Sequence, residues 1–251
     1  MEKVTISALH QMKRDGRKIA GVVAWDFHMA QIADRAGVEI VSVGDSVGVN
    51  LWGRTDPEDI TTDEMMIVCK AVRRGTGRAI VSCDLPAGAL RDGIDSAVRA
   101  ALRLANEGGA DMVKLDGAAE FPEGVTAIAA AGVPVFAQFE AADGQAKEKL
   151  VSAAKRLEAA GASLLDFKYS GPIAGAAVVS AVSIPVIGGM GGGPWLDGRI
   201  RMAHAAIGYA ASALDSNADN YANVARITLE ALKEYTADVR SGRQIKGGTK
   251  V

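Results

Sequence analysis

The chain has 251 residues, with 28 Lys+Arg against 30 Asp+Glu, a formal net charge of -2 and 49% hydrophobic residues. So even a balance leaves no basic face for phosphate backbones, which excludes nucleic acid as an expected partner, and the apolar content excludes disorder. No apolar run reaches the roughly 20 residues of a membrane span, residues 1–14 are polar rather than signal-like, and Cys69 and Cys83 lack disulfide-framework or zinc-site spacing, so a reduced, cytoplasmic protein with no membrane partner is expected.

Residues 1–17 read as a helix that precedes the main fold and caps one end of it. Residues 18–25 read as a first strand. A unit then recurs five times: a charged or Ala-rich helical stretch, a glycine, a short apolar run and a closing polar residue. The copies are AGVEIVSVGD ending at Asp45, GTGRAIVSCD ending at Asp84, GGADMVKLD ending at Asp116, AGVPVFAQ ending at Gln138 and AGASLLDFK ending at Lys168. Between the strands lie helical patterns at 95–107 and 147–160. A seventh strand is expected at 184–188, an eighth at 207–212, and a terminal helix at 217–240, followed by a basic tail at 243–250. Strands alternating with helices of this length pair in parallel through right-handed crossovers, and eight units give an α/β fold of the (β/α)8, TIM-barrel type. One barrel domain over residues 1–251 is expected, with a doubly wound open sheet as the competing architecture.

In such barrels the site lies at the C-terminal strand ends. Asp45 and Asp84, supported by Asp116, form an oxygen-rich set that repels itself unless a cation or protons intervene, and Mg2+ suits carboxylates plus water. The competing reading is that each aspartate caps the helix that follows it. Lys114 lies two residues before Asp116, so both point into the barrel. As a buried lysine it pairs with Asp116, meets an anionic substrate, or does both in turn. Gln138, Asp166 and Lys168 close the next two strands. The loop GGMGGGP at 188–194, with Gly189 in its first turn, offers close backbone approach to an anion or serves as a flexible turn. Trp25 shapes the pocket or packs in the core. His10, His28 and His204 do not cluster.

Several stretches in register carry a resemblance: VGDSVGV (43–49), KAVRRG (70–75), CDLP (83–86), VKLDG (113–117), LEAAGA (157–162) and IPVIGGMGGGPWLDG (184–198). Over residues 18–243 the chain resembles ketopantoate hydroxymethyltransferase, of the phosphoenolpyruvate/pyruvate-type barrel superfamily. That resemblance implies a (β/α)8 barrel and a homo-oligomer. It implies Mg2+ held at Asp45 and Asp84 with Asp116 close by, and a 2-oxo acid chelating the ion with help from Ser46 and Lys114. The reaction it implies is C–C bond formation or cleavage through a metal-stabilised enolate. Residue by residue the match departs at the site. The family's strand-five His falls at Gln138, its strand-six Glu at Lys168, its lid is cut to FEAADGQ (139–145), and its Tyr-bearing loop has become AGALRD (87–92).

Reversing the charge of a proton-transfer residue disables the original step unless another group takes it over. The expectation is therefore a diverged metal-dependent aldolase or lyase. In it Lys168 binds an extra carboxylate or protonates the product, and Asp166 or a water is the base. The shortened lid favours an acceptor smaller than tetrahydrofolate, such as a free aldehyde. Two alternatives stand beside this: a Schiff-base aldolase with Lys168 as nucleophile, and a non-catalytic ligand-binding or scaffold homologue.

Overall fold

Each glycine-bounded apolar run becomes a strand because a strand buried on both faces needs continuous β-branched residues, and the helices that cover it need short turns. The computed structural model describes residues 2–56, 58–141 and 146–247. Eight strands close into a barrel in sequence order: β1 (Ile19–Val23), β2 (Ile40–Val43), β3 (Ile80–Asp84), β4 (Met112–Leu115), β5 (Val135–Glu140), β6 (Leu164–Lys168), β7 (Val186–Gly188) and β8 (Gly198–Met202). All neighbours pair in parallel from β1 to β8. The helices Phe27–Ala36, Thr62–Gly75, Ile94–Asn106, Pro122–Ala130, Lys147–Ala159 and Pro172–Ala181 lie between successive strands from β1 to β7. Thr61 and Glu64 start the second of these with a reciprocal capping box, which satisfies two otherwise orphaned amides.

The barrel floor is apolar. Ile19, Ile40, Ile80, Met112, Phe136, Leu164, Ile187 and Ile200 form its inner layer, and Leu9 and Met12 of the helix Ile6–Arg14 pack against it from below. The expected N-terminal cap is therefore present, held also by Lys13 Nζ on Asp197 Oδ2 at 3.0 Å.

The eighth strand differs from its expected place. It is Gly198–Met202, whereas residues 207–212 hold the end of a short helical turn and the start of a 3-10 turn. Arg199 and Arg201 interrupt the apolar run of β8 on its exposed side, so its period-2 pattern hides between the glycine loop and the next turn. No helix separates β7 from β8, and a loop of nine residues joins them. Asp197 starts no helix: its carboxylate accepts from the Val186 amide at 2.9 Å and ties that loop to β7.

By compactness the folded chain comprises two units, Met1–Arg201 and Met202–Val251. The first holds the barrel apart from the last residue of β8. The second contains the helix Val224–Ser241, which starts later than the expected 217 because Asn223 caps it, accepting from the Arg226 amide at 2.9 Å. Of the shortened lid, residues 142–145 lie outside the described residues, as do 248–250 of the basic tail. Among the described residues no helix is long and apolar enough to cross a membrane.

Candidate functional site

Above the apolar floor the inward positions turn polar two residues at a time, as strand alternation requires. On β3 the sequence Ile80, Ser82, Asp84 climbs from floor to rim. On β4 it is Met112, Lys114, then Asp116 just past the strand. On β5 it is Phe136, Gln138, Glu140, and on β6 Leu164, Asp166, Lys168. Register places Asp84 beside Lys114, Gln138 beside Asp166, and Glu140 beside Lys168. Phe139 and Phe167, one step out of phase, stack on the outer face with ring centroids 4.4 Å apart.

None of the three metal-candidate aspartates caps a helix. The N-cap positions after β2, β3 and β4 belong to Ser46, Pro86 and Phe121. The carboxylates gather instead around Lys114, whose Nζ contacts Asp116 Oδ1, lies 3.4 Å from Asp84 Oδ2 and 3.9 Å from Asp166 Oδ2. Asp116 bridges to a second ammonium, Lys168 Nζ, 3.3 Å from its Oδ2. Burial opposes the Lys114 charge, yet Asp84, Asp116 and Asp166 together hold its pKa well above the ordinary lysine value. Burial likewise opposes charge on Asp116, but Lys114 and Lys168 outweigh it and keep this carboxylate below its usual range.

The other three acids behave differently. Burial pushes Asp84 up to about 8 against the pull of Lys114, with Asp45 and Asp116 adding repulsion. Burial also raises Asp166, and it raises Asp45, where the Asp116 charge adds to it. Four carboxylates thus face two ammoniums, and the fully ionised cluster keeps two negative charges uncompensated. Lys114 and Asp116 are the firm ion pair, while Asp84 holds a proton that a cation can displace.

The expected three-aspartate ligand set is not preformed. Among the described residues no group of three or more His, Cys, Asp or Glu is arranged to hold a metal. The reason is local: both Asp116 oxygens already face ammoniums. Asp84 stands apart, because its Oδ1 is buried without a hydrogen-bond partner among the described residues, while its Oδ2 accepts from the Asp45 amide at 3.4 Å. A buried orphan oxygen beside a half-buried second carboxylate is the donor set a hard cation fits.

The expected substrate-binding residues surround this cluster. Ser46 follows Asp45, and its hydroxyl makes no cap bond to the short helix Val47–Asn50. Trp25 is buried and donates from Nε1 to the Gly44 carbonyl at 3.0 Å, so it supports the loop that carries Asp45. Gln138 is buried too, and its Oε1 accepts from the Gly117 amide at 2.9 Å, which ties the β4 and β5 rims together. Gly189 donates its amide to Asp166 Oδ1 at 2.7 Å. A Cβ at Gly189 would sit 2.8 Å from that oxygen, closer than carbon and oxygen approach. Gly189→Ala is therefore expected to cost about 1–3 kcal/mol, the usual penalty of overpacking, read as a shifted midpoint in urea unfolding. Asp166 is thus almost fully buried, with one oxygen held by Gly189 and the other facing Lys114.

A cavity of about 270 Å³ lies at the end of β5, between its rim residues Gln138 and Glu140, Lys168 of β6, the turn residue Glu120, and Leu150 and Ala153 of the helix Lys147–Ala159; Lys168 is the member of the charged cluster that reaches it. Glu140 is the residue the sequence reading missed. It belongs to a strand two residues longer than expected and lies in phase with Gln138, a spacing that would have found it. The histidines stay apart from this chemistry: His10 bonds the Ser163 carbonyl at 2.8 Å, and His28 packs edge-on against Phe27.

Comparison with known proteins matches this arrangement. The sequence profile described as Ketopantoate hydroxymethyltransferase fits residues 3–244. The 3-methyl-2-oxobutanoate hydroxymethyltransferase of Geobacillus kaustophilus is 34% identical over 244 residues, covering 91% of this chain and 87% of its own length. That of a Cyanothece species is 35% identical over 256 residues, covering 95% and 97%. Among solved structures, phosphonopyruvate hydrolase in complex with oxalate and Mg2+ superposes with a TM-score of 0.65 at 16% identity, over 96% of this chain and 88% of that one. The 2,3-dimethylmalate lyase, a member of the PEP mutase/isocitrate lyase superfamily, gives 0.66 at 15% identity, over 98% and 91%. At such identities the structural likeness is one of fold; the sequence match, which runs through both the barrel and its rim, shows that the chain belongs to the ketopantoate hydroxymethyltransferase family.

Proposed function

We propose that this protein is a divalent-cation-dependent enzyme, with Mg2+ as the ion, that forms or cleaves a C–C bond next to the carbonyl of a 2-oxo acid. The observation that carries the reading is the buried, unpartnered Oδ1 of Asp84 beside Asp45, inside a cluster with excess negative charge. Relatives named as hydroxymethyltransferases and a structural neighbour solved with oxalate and Mg2+ support it.

Asp45 and Asp84 would hold the cation. When bound, it supplies Lewis-acid polarisation of the substrate's keto oxygen. The chain's own groups do the rest. Lys114, fixed by Asp84, Asp116 and Asp166, offsets negative charge that develops on the substrate oxygens. Ser46 donates to the substrate carboxylate. Gln138 holds the cavity wall, where Lys168 is placed to protonate the oxygen that forms on an aldehyde acceptor. The Schiff-base alternative at Lys168 is less favoured, since its Nζ lies 3.3 Å from Asp116 Oδ2 and would have to leave that contact to attack a carbonyl.

The reading includes a cytoplasmic homo-oligomer that acts on small molecules. In its support, Ile227, Leu232 and Tyr235 of the helix Val224–Ser241 are exposed, and a second copy would cover them. The test of the chemistry is exchange of α-protons for deuterium in a panel of 2-oxo acids, followed by proton NMR. At least one acid is expected to exchange with Mg2+ present and to stop when the ion is chelated; if none does so, the proposal fails.

A further inference from the structure

Enolate formation needs a base with a free oxygen at the open rim, and most carboxylates of the mouth are excluded. Asp45 and Asp84 are committed to the cation. Both oxygens of Asp116 face ammoniums. Asp166 is 2% exposed, with one oxygen on the Gly189 amide and the other towards Lys114. Among the described residues, two carboxylates that line the cavity remain, Glu120 and Glu140. Glu120 lies on the turn after β4. Glu140 ends β5, in register with Lys168 and in phase with Gln138, so the barrel wall fixes its backbone beside the cluster. Among the described residues its side chain has no hydrogen-bond or ion-pair partner, although its register neighbour is a lysine; Lys168 turns to Asp116 instead.

We infer that Glu140 is the catalytic base that removes the α-proton of the bound 2-oxo acid. The inference rests on the function proposed above and names the group that function lacks. The α-C–H bond breaks, the proton passes to a Glu140 carboxylate oxygen, and the bonding pair becomes the enolate double bond as charge moves to the keto oxygen. In this chain the proton-transfer carboxylate sits on β5, one strand away from the position that Lys168 occupies on β6.

Two measurements on the full chain test this. In the first, Glu140→Gln is expected to slow Mg2+-dependent deuterium exchange by about 100-fold or more, the usual contribution of a positioned base. The same variant should leave the melting temperature unchanged and the calorimetric affinity for the 2-oxo acid within twofold of the parent, and Glu120→Gln should slow exchange far less than Glu140→Gln. In the second, 3-bromopyruvate is offered to the parent protein. A base that reaches the α-carbon displaces bromide and forms an ester C–O bond, the bromide leaving with its bonding pair. Peptide mass spectrometry is expected to find the label on Glu140 and to lose it when pyruvate competes. Exchange by Glu140→Gln at the parental rate, or a label on Glu120 or Asp166, overturns the assignment while leaving the proposed function standing. A parent protein that exchanges no 2-oxo acid overturns both.

Discussion

Asp84→Asn is expected to lose Mg2+ binding by more than the roughly 10–100-fold typical of groups one step removed from a metal, because it replaces the buried oxygen that no donor among the described residues reaches. Isothermal titration calorimetry of parent and variant measures this directly. The parent's own affinity should depend on pH in a defined sense. Asp84 holds its proton up to about 8, so below that value cation binding must expel a proton and weakens by about tenfold per pH unit. The linkage to stability has the opposite slope. A carboxyl whose pKa is raised on folding stabilises the fold fully only below its unfolded value of 3.8, and that contribution is lost as pH rises through about 8. Without metal, the melting temperature should therefore drift down from pH 5 to pH 8, and Mg2+ should remove much of the drift by taking the proton's place. An Asp84→Asn protein that binds the ion as the parent does, or a parent whose affinity ignores pH, would show that the cation sits elsewhere.

Lys114→Met should be the most damaging single change to stability at the site. The Lys114 side chain is 9% exposed and is the cation shared by Asp84, Asp116 and Asp166. Methionine keeps the volume but removes the charge, and taking one partner from a buried ionic cluster costs about 3–5 kcal/mol, since the others stay buried and unpaired. Denaturant unfolding at two pH values separates this from a simple packing defect. Loss of Lys114 also removes the pull that holds Asp84 down to about 8, so the loss is full only above that value, where the carboxylate ionises, and shrinks well below it, where a proton replaces the ammonium. A loss that is equal at both values would mean that Lys114 acts through its hydrocarbon stem. Lys168→Met should cost much less, because Lys168 has one carboxylate partner and a more open position.

Strands β2 to β6 were legible because each is a glycine-bounded apolar run ended by a polar residue, a pattern set by burial on both faces and by the need to finish at a wet rim. The same logic put Asp45, Asp84, Lys114, Asp116, Gln138, Asp166 and Lys168 at one end of the barrel. It failed for β8, where two outward arginines break the apolar run, and for Glu140, because an alternating strand end looks like the start of a polar loop. The helix-cap reading of the aspartates was open on sequence alone. It closed when Ser46, Pro86 and Phe121 proved to hold the cap positions.

Sequence by itself determined the architecture and the chemical inventory of the rim, since both follow from repeats within one element, of two residues along a strand and about 3.6 along a helix. Tertiary structure alone decided which of those groups pair. Asp116 lies two residues from Lys114 in the chain but 52 from Lys168, and only closure of the barrel brings it to both lysines. The consequence is chemical: an aspartate that reads as a metal ligand becomes an anchor for two cations, and the free oxygen of Asp84 is left as the place where an added charge is needed. Charge pairing across strands depends on register and on the water excluded between them, and neither is written in the order of residues along any one strand.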